Sequence, residues 1–282
     1  FIEYNMSQHL QRFFNSFKLG KEFACTFLAE AVPLALIYVL ATFWLSWWNA
    51  KLQYLLALFQ ALGVGQMPTT APSQGLIFFY LFGTPLLVAV FSLFLYSYAQ
   101  ALIWNYLQGR KVTKKTYWRW NALHLALLSP LAGFALVFAL AKVLLGLLVN
   151  LIYSLVPVFY LTHVLLMDKA RVIINNVVTF YLLLIFLSLL FFIYWNFAEK
   201  YQVWSSLGLG FASFSRRWKK LLLPLFFAII AASFLSVILF YANKQLLYYP
   251  PLVSALANLL VAVLFLAWLR LYIVKPVAHE SQ

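Results

Sequence analysis

The chain has 282 residues, of which 65% are hydrophobic and only 9% are charged. Soluble domains are roughly 45–50% apolar, so this composition excludes an ordinary soluble domain and requires lipid around much of the chain. The net charge is +14. Basic residues at helix ends, which fix topology and meet anionic headgroups, account for this charge better than nucleic-acid binding, so no nucleic-acid partner is expected.

Long stretches without charge predict an all-α, polytopic membrane protein with six to seven transmembrane segments. The longest stretch, Leu52–Gly109, contains no Asp, Glu, Lys or Arg. About 20 helical residues cross the ~30 Å apolar core of a bilayer. A transmembrane β-barrel would instead show short segments that alternate apolar and polar residues.

The N-terminal residues 1–23 are predicted to form an interfacial amphipathic helix. Apolar side chains recur on one helical face, and the opposite face is polar. This pattern is typical of a helix lying on the membrane, although packing against a soluble partner is an alternative. The apolar face consists of Met6, Leu10, Phe13, Phe14 and Phe17.

Residues 24–274 are predicted to form one transmembrane domain, followed by a short tail at 275–282. Residues 51–62 are apolar but too short to span, which predicts an interfacial or re-entrant piece. The Gly- and Pro-containing residues 63–75 predict a loop. The seven apolar segments are 24–48, 76–106, 122–146, 148–167, 172–197, 221–243 and 251–273.

The distribution of lysine and arginine predicts a cytoplasmic N-terminus. Seven full crossings would place the basic cluster at 216–220 outside the cell. If 122–167 makes only one net crossing, the cluster at 216–220 and the basic 107–121 loop share the cytoplasmic side, as the positive-inside rule favours. We therefore predict six crossings, with seven as the alternative.

Small residues spaced four apart predict which segments pack closely in lipid. Examples are Ala228, Ala232 and Ser236, and the pair Ser129 and Gly133. These ladders predict an inner bundle formed by the segments at 122–146, 221–243 and 251–273. The Phe- and Leu-rich segments at 76–106 and 172–197 are expected to face lipid or partner subunits.

Ionisable residues inside the membrane are costly and mark candidate sites. Glu30 lies inside the first segment, three residues before Pro33, whose missing N–H frees a backbone carbonyl. A carboxylate there could bind a cation or a proton. The preferred prediction is structural, with Glu30 paired to a basic neighbour such as Arg270 or His124.

The other candidates are weaker. His124 and His163 lie near segment ends, where they could face headgroups, and His163 and Asp168 are not aligned for a catalytic pair. Lys142 and Arg270 are close enough to segment ends to reach the interface. The sequence contains no known catalytic, nucleotide-binding or metal-binding motif, so no catalytic residue, metal or cofactor is predicted.

The basic clusters are predicted to contact membrane lipid headgroups, and anionic lipids are the partners that such surfaces favour. They flank apolar segments on the predicted cytoplasmic side. The residues are Arg110, Lys111, Lys114, Lys115, Arg119, Arg216, Arg217, Lys219 and Lys220.

Three functions are compatible with these features. The first is a non-catalytic integral subunit of a larger membrane complex, in contact with other membrane subunits. The second is a transporter or channel subunit for an ion or small solute, and the third is an enzyme acting on lipid. We expect the plasma membrane, and the basic N-terminal flank predicts that the N-terminus lies in the cytoplasm.

Overall fold

The computed structural model describes Gln11 and residues 13–16, 20–63, 73–155, 161–246, 248 and 251–279. Six long helices account for most of them. They are α1, Lys21–Gly63; α2, which comprises Gln74–Phe78, a π-helical segment Phe79–Gly83 and Thr84–Leu107; α3, Lys114–Leu155; α4, Leu161–Lys200; α5, Val203–Leu246; and α6, Pro251–His279.

Within the described ranges, six helices are long and apolar enough to cross a membrane, and no strand occurs. The expected all-α polytopic membrane fold is therefore confirmed. Backbone polar groups inside lipid must be satisfied within their own segment, and a continuous helix does this. Pro33, Pro130 and Pro224 each lie inside one of these helices without ending it.

The structure has six candidate spans rather than seven separate segments. The expected segment 148–167 is divided between the end of α3 and the start of α4; residues 156–160 lie outside the described residues. Residues 51–62 are not a separate piece, because α1 continues through them to Gly63. A helix needs no bilayer to continue once its turns are formed, since each added residue adds a hydrogen bond.

Both ends of the predicted domain differ slightly from the structure. Of the N-terminal 1–23 segment, Gln11 and residues 13–16 are helical, residues 21–23 already belong to α1, and residues 1–10, 12 and 17–19 lie outside the described residues. The predicted tail begins at residue 275, whereas α6 continues to His279. Residues 64–72 of the predicted loop also lie outside the described part.

Buried side chains concentrate at one end of the bundle, where the N-terminal ends of α1 and α3 meet the C-terminal ends of α2, α4 and α6. They fall mainly within residues 97–105, 120–127, 191–198 and 267–274. At the other end, no side chain described between residues 128 and 148 of α3 is buried.

This distribution overturns the expected roles of two segments. The segment 172–197 is predicted to face lipid, but α4 supplies the most buried span. The segment 122–146 is predicted to be central, but most of α3 is exposed, including Ser129 and Gly133. Large aromatic side chains such as Phe191, Tyr194 and Phe197 fill the centre instead, because they bury far more apolar area than small residues do.

Two helical hairpins keep contacts towards the open end. The Trp48 indole N–H of α1 donates to the Tyr80 carbonyl of α2 at 3.0 Å. The Asn243 side chain of α5 donates to the side-chain carbonyl of Asn258 of α6 at 3.1 Å. Each bond therefore joins the two helices of a hairpin at the end of the bundle where few described side chains are buried.

Hydrogen bonds join the end of α2 and the loop that follows it to the turn between α4 and α5. Arg110 Nη1 donates to the carbonyls of Ala198 and Glu199 at 2.7 and 2.6 Å. The Tyr201 hydroxyl donates to the Asn105 side chain at 2.5 Å, and Tyr201 has a positive φ of 53°. These bonds satisfy the last carbonyls of α4 and fix the α4–α5 turn.

The described N-terminal residues pack on the bundle between α5 and α6. The Phe13 ring stacks on Phe227 with centroids 5.0 Å apart and meets Trp268 edge-on at 6.0 Å. The Trp268 indole donates to the Ser16 hydroxyl at 2.9 Å. Phe13 is half-buried and packs against the bundle, as expected, Phe14 is 66% exposed, and Phe17 lies outside the described residues.

Candidate functional site

A buried ion pair joins α1 to α6. Arg270 Nη2 donates to Glu30 Oε2 at 2.8 Å, and both side chains are almost inaccessible. A lone carboxylate at this depth would be strongly disfavoured, because burying an uncompensated charge in low dielectric is expensive. The pair brings together residues 240 positions apart in sequence.

One face of α2 completes the surroundings of the carboxylate. Gln100 Nε2 donates to Glu30 Oε1 at 3.3 Å, and the Trp104 indole donates to Gln100 Oε1 at 3.0 Å. Gln100 and Trp104 are one turn apart, so both point the same way from α2. Each carboxylate oxygen of Glu30 therefore has a donor.

Arg270 lies between two aromatic rings. Its Cζ atom is 5.5 Å from the Trp104 ring centroid and 5.6 Å from that of Phe191. Its Nε and Nη1 groups have no hydrogen-bond partner in the described part of the chain. The rings provide partial compensation, since a guanidinium is attracted to aromatic faces.

A second buried network centres on His124 of α3. His124 Nδ1 lies 2.9 Å from the Trp120 carbonyl and 3.0 Å from the Ser97 hydroxyl. A carbonyl only accepts, so Nδ1 carries the proton and Nε2 is the acceptor. The Tyr194 hydroxyl, 3.2 Å from Nε2, then donates to it.

The two networks touch through the rings of Trp104 and Tyr194, whose centroids are 5.9 Å apart. Together they form what we call the polar core, with members from five of the six long helices. Its members are Glu30, Ser97, Gln100, Trp104, His124, Tyr194 and Arg270.

The polar core is organised as a set of internal contacts. The charges of Glu30 and Arg270 compensate each other at 2.8 Å, and His124 bonds as a neutral ring. Within the described residues, no group of three or more His, Cys, Asp or Glu side chains could hold a metal ion. Such an arrangement is suited to fixing the relative positions of helices in lipid.

The predicted pairing of Glu30 with a basic neighbour is confirmed, and Arg270 is the partner. Two other expectations are wrong. His124 does not face headgroups but is buried, and Arg270 does not reach the interface because Glu30 holds it inside. Lys142 is exposed beside the Phe138 ring, and the side chain of His163 lies outside the described residues.

The nine predicted headgroup residues fall into different environments. Arg110 is used within the protein, where it caps α4, and Arg217 is half-buried. The remaining members are exposed. They are Lys111, Lys114, Lys115, Arg119, Arg216, Lys219 and Lys220.

Sequence reasoning misses the uncharged members of the polar core. A signal is present, because Ser97, Gln100 and Trp104 follow at intervals of three and four within a charge-free stretch and so share one face of α2. Tyr194 precedes Trp195 near the end of the apolar segment 172–197, a position typical of an interfacial aromatic belt, whereas its side chain is buried against His124.

No protein-family model, curated protein or solved structure matches this chain. The polar core and the surfaces of the helices are therefore the features that bear on its function.

Proposed function

We propose that the protein is a non-catalytic subunit of a larger membrane complex. One line of support is the polar core, whose ionised members are bonded to each other. Both carboxylate oxygens of Glu30 already accept hydrogen bonds, one of them from the counter-ion Arg270, so this buried carboxylate serves helix packing without a further ligand. This favours a structural role for the residues that a transporter would use as its site.

The observation that carries the proposal is the length and exposure of α3. Its 42 residues correspond to about 63 Å, twice the ~30 Å apolar core of a bilayer. Lys142 lies 23 residues after Arg119, or about 35 Å along the helix, which is enough to cross that core.

Beyond Lys142, α3 continues for 13 residues, or about 20 Å. Among the side chains of this extension that the structure describes, the large exposed ones are apolar: Val143, Leu144, Leu147, Leu148 and Leu151. Lipid tails cover apolar surface only within the membrane, and exposed apolar patches outside it mark protein contacts. Apolar surface of a partner subunit would cover the extension.

Purification in mild detergent from cells at native expression level tests this proposal. We expect a second membrane protein to co-purify at fixed stoichiometry, measured by light scattering and mass spectrometry. The double variant Leu144→Gln/Leu148→Gln should release it without changing the melting temperature of the subunit. Leu56→Gln is the matched control, because Leu56 and Leu148 are equally exposed at 54%.

If the Leu144→Gln/Leu148→Gln variant retains the partner, the α3 extension is not the surface that binds it. A monomer or homodimer that moves a solute across reconstituted vesicles would contradict the proposal as a whole.

One observation favours a transporter as the second candidate function. Arg270 keeps two buried nitrogen atoms, Nε and Nη1, without hydrogen-bond partners in the described chain, and such donors could receive an anionic or polar solute. Flux assays in vesicles separate the candidates, since only a transporter loses solute movement when Arg270 is replaced by lysine.

We also propose that the N-terminus lies in the cytoplasm of a cell bounded by the plasma membrane, with Lys111 and Ser215 on that same side. The six spans and the positive-inside rule support this orientation. In a Cys25→Ser background, an impermeant maleimide should label Tyr248→Cys on intact cells. Lys111→Cys and Ser215→Cys should react only after permeabilisation.

In the α2–α3 loop, Lys111 is a better labelling position than Thr113, because Thr113 caps the start of α3. The Thr113 hydroxyl accepts a hydrogen bond from the Thr116 N–H, and the Thr113 N–H donates to the Thr116 hydroxyl. Labelling of only one of Lys111→Cys and Ser215→Cys in intact cells would contradict six crossings. Labelling of both, without Tyr248→Cys, would keep six crossings and reverse the orientation.

A further inference from the structure

We propose that Lys115, Trp118 and Arg119 at the start of α3 form a binding surface for an acidic glycerophospholipid. This inference goes beyond the proposed subunit role and does not depend on it. The three residues are spaced by three and four, so they share one helical face. All three are exposed, and Trp118 is 55% exposed.

Their depth matches a lipid headgroup. The charge-free stretch of α3 begins at Trp120, directly after Arg119, so the basic groups lie at the edge of the apolar span. Continuing along the same face, Ala122 and Leu125 are exposed and apolar, which suits an acyl chain. The Trp118 ring, held edge-on to Phe94 of α2 at 5.8 Å, lies between the two zones, as interfacial tryptophans do.

The charge at this end of α3 favours an anion. The first turn of α3 contains Lys114 and Lys115 and no acidic residue, although the positive end of a helix dipole favours negative charge. Lys115 and Arg119 form no ion pair with any described carboxylate. A phosphate placed here would interact favourably with both side chains and with the helix end.

The basic cluster on α5 differs in its aromatic residue. Trp218 is half-buried and packs against Phe214 at 5.4 Å, so it does not accompany Arg216 and Lys219 on the exposed face. Arg216 and Lys219 carry the same two positive charges as Lys115 and Arg119, but no exposed tryptophan lies beside them among the described residues. This cluster therefore provides a matched control for non-specific attraction of anionic lipid.

Quenching of Trp118 fluorescence by brominated lipids tests the surface. The protein is reconstituted in vesicles with either dibromo-phosphatidylglycerol or dibromo-phosphatidylcholine, and subtraction of a Trp118→Phe variant isolates the Trp118 signal. We expect stronger quenching by the anionic lipid. In Lys115→Gln/Arg119→Gln the preference should fall by about fivefold for each charge removed.

Arg216→Gln/Lys219→Gln should leave the preference unchanged. The charge-preserving Lys115→Arg/Arg119→Lys variant should retain it, which separates loss of binding from loss of fold. Equal quenching by the two lipids would overturn the proposal. So would an equal loss in the α5 control, because the attraction would then follow total charge and not this surface.

Discussion

Replacing Glu30 with leucine should lower the free energy of unfolding by about 3–5 kcal/mol, because it leaves the Arg270 guanidinium buried without its counter-ion. Arg270→Leu should have a similar effect, since it leaves the Glu30 carboxylate in the same position. The 2.8 Å separation and the near-complete burial of both side chains place this pair among strongly coupled ones. Unfolding by SDS titration in mixed micelles, followed by tryptophan fluorescence, measures these changes.

The double variant Glu30→Leu/Arg270→Leu should cost clearly less than the sum of the two single changes, because no lone charge remains. Glu30→Gln should lie between wild type and Glu30→Leu, since the amide can still accept a bond from Arg270 but carries no charge. Glu199→Gln is the control, because Glu199 is exposed, and it should change stability by less than about 0.5 kcal/mol.

Additive single effects would show that Glu30 and Arg270 do not interact in the folded protein. A different outcome would favour transport. If Glu30→Gln leaves folding untouched but abolishes movement of an ion or solute in vesicles, the polar core is a transport site and its proposed structural role is wrong.

Much of the ion pair could be predicted from the sequence. Glu30 is the one charged residue between Glu22 and Lys51, so bilayer physics requires a partner for it, and few basic residues occur at a comparable depth. Arg270 and His124 are both candidates on these grounds. The choice between them depends on which helix packs beside α1, and helix adjacency leaves no signal in hydropathy. His124 instead bonds to Ser97 and Tyr194.

The ends of α3 and α4 are harder to predict. The charges of Lys142 and Asp168 interrupt the apolar pattern of the sequence, but they do not end a helix. Both helices continue past these positions, because helix propagation depends on local hydrogen bonding and not on lipid. A hydropathy pattern therefore locates the crossings better than it locates the helix boundaries.

The spacing of small residues does not identify the inner helices correctly, because small residues permit close packing without requiring it. At Gly133, no atom lies within 4 Å of the position that a Cβ would occupy, so nothing approaches it. Gly210 is the opposite case, since a Cβ there would lie 2.9 Å from the Ile193 Cα atom of α4. Only the arrangement of neighbouring helices distinguishes these two glycines.

Gly210→Ala should therefore destabilise the protein by about 1–3 kcal/mol, as overpacking of a tight contact does. The added methyl group meets the Cγ1 atom of Ile193 and also its backbone Cα and N atoms, and the backbone cannot rotate away, so α4 and α5 must move apart. Gly208→Ala is a matched control on the same helix, because no atom lies within 4 Å of its Cβ position. It should be neutral or stabilising by up to ~1 kcal/mol through helix propensity.

SDS titration of the two variants side by side gives the comparison, and the sign of the difference is the decisive quantity. Propensity alone would make both alanines favourable by the same amount. A Gly210→Ala protein as stable as Gly208→Ala would mean that α4 and α5 do not approach closely at this point. A loss confined to Gly210→Ala would establish that contact as the place where a small residue is required, since Ile193 leaves no room for a side chain there.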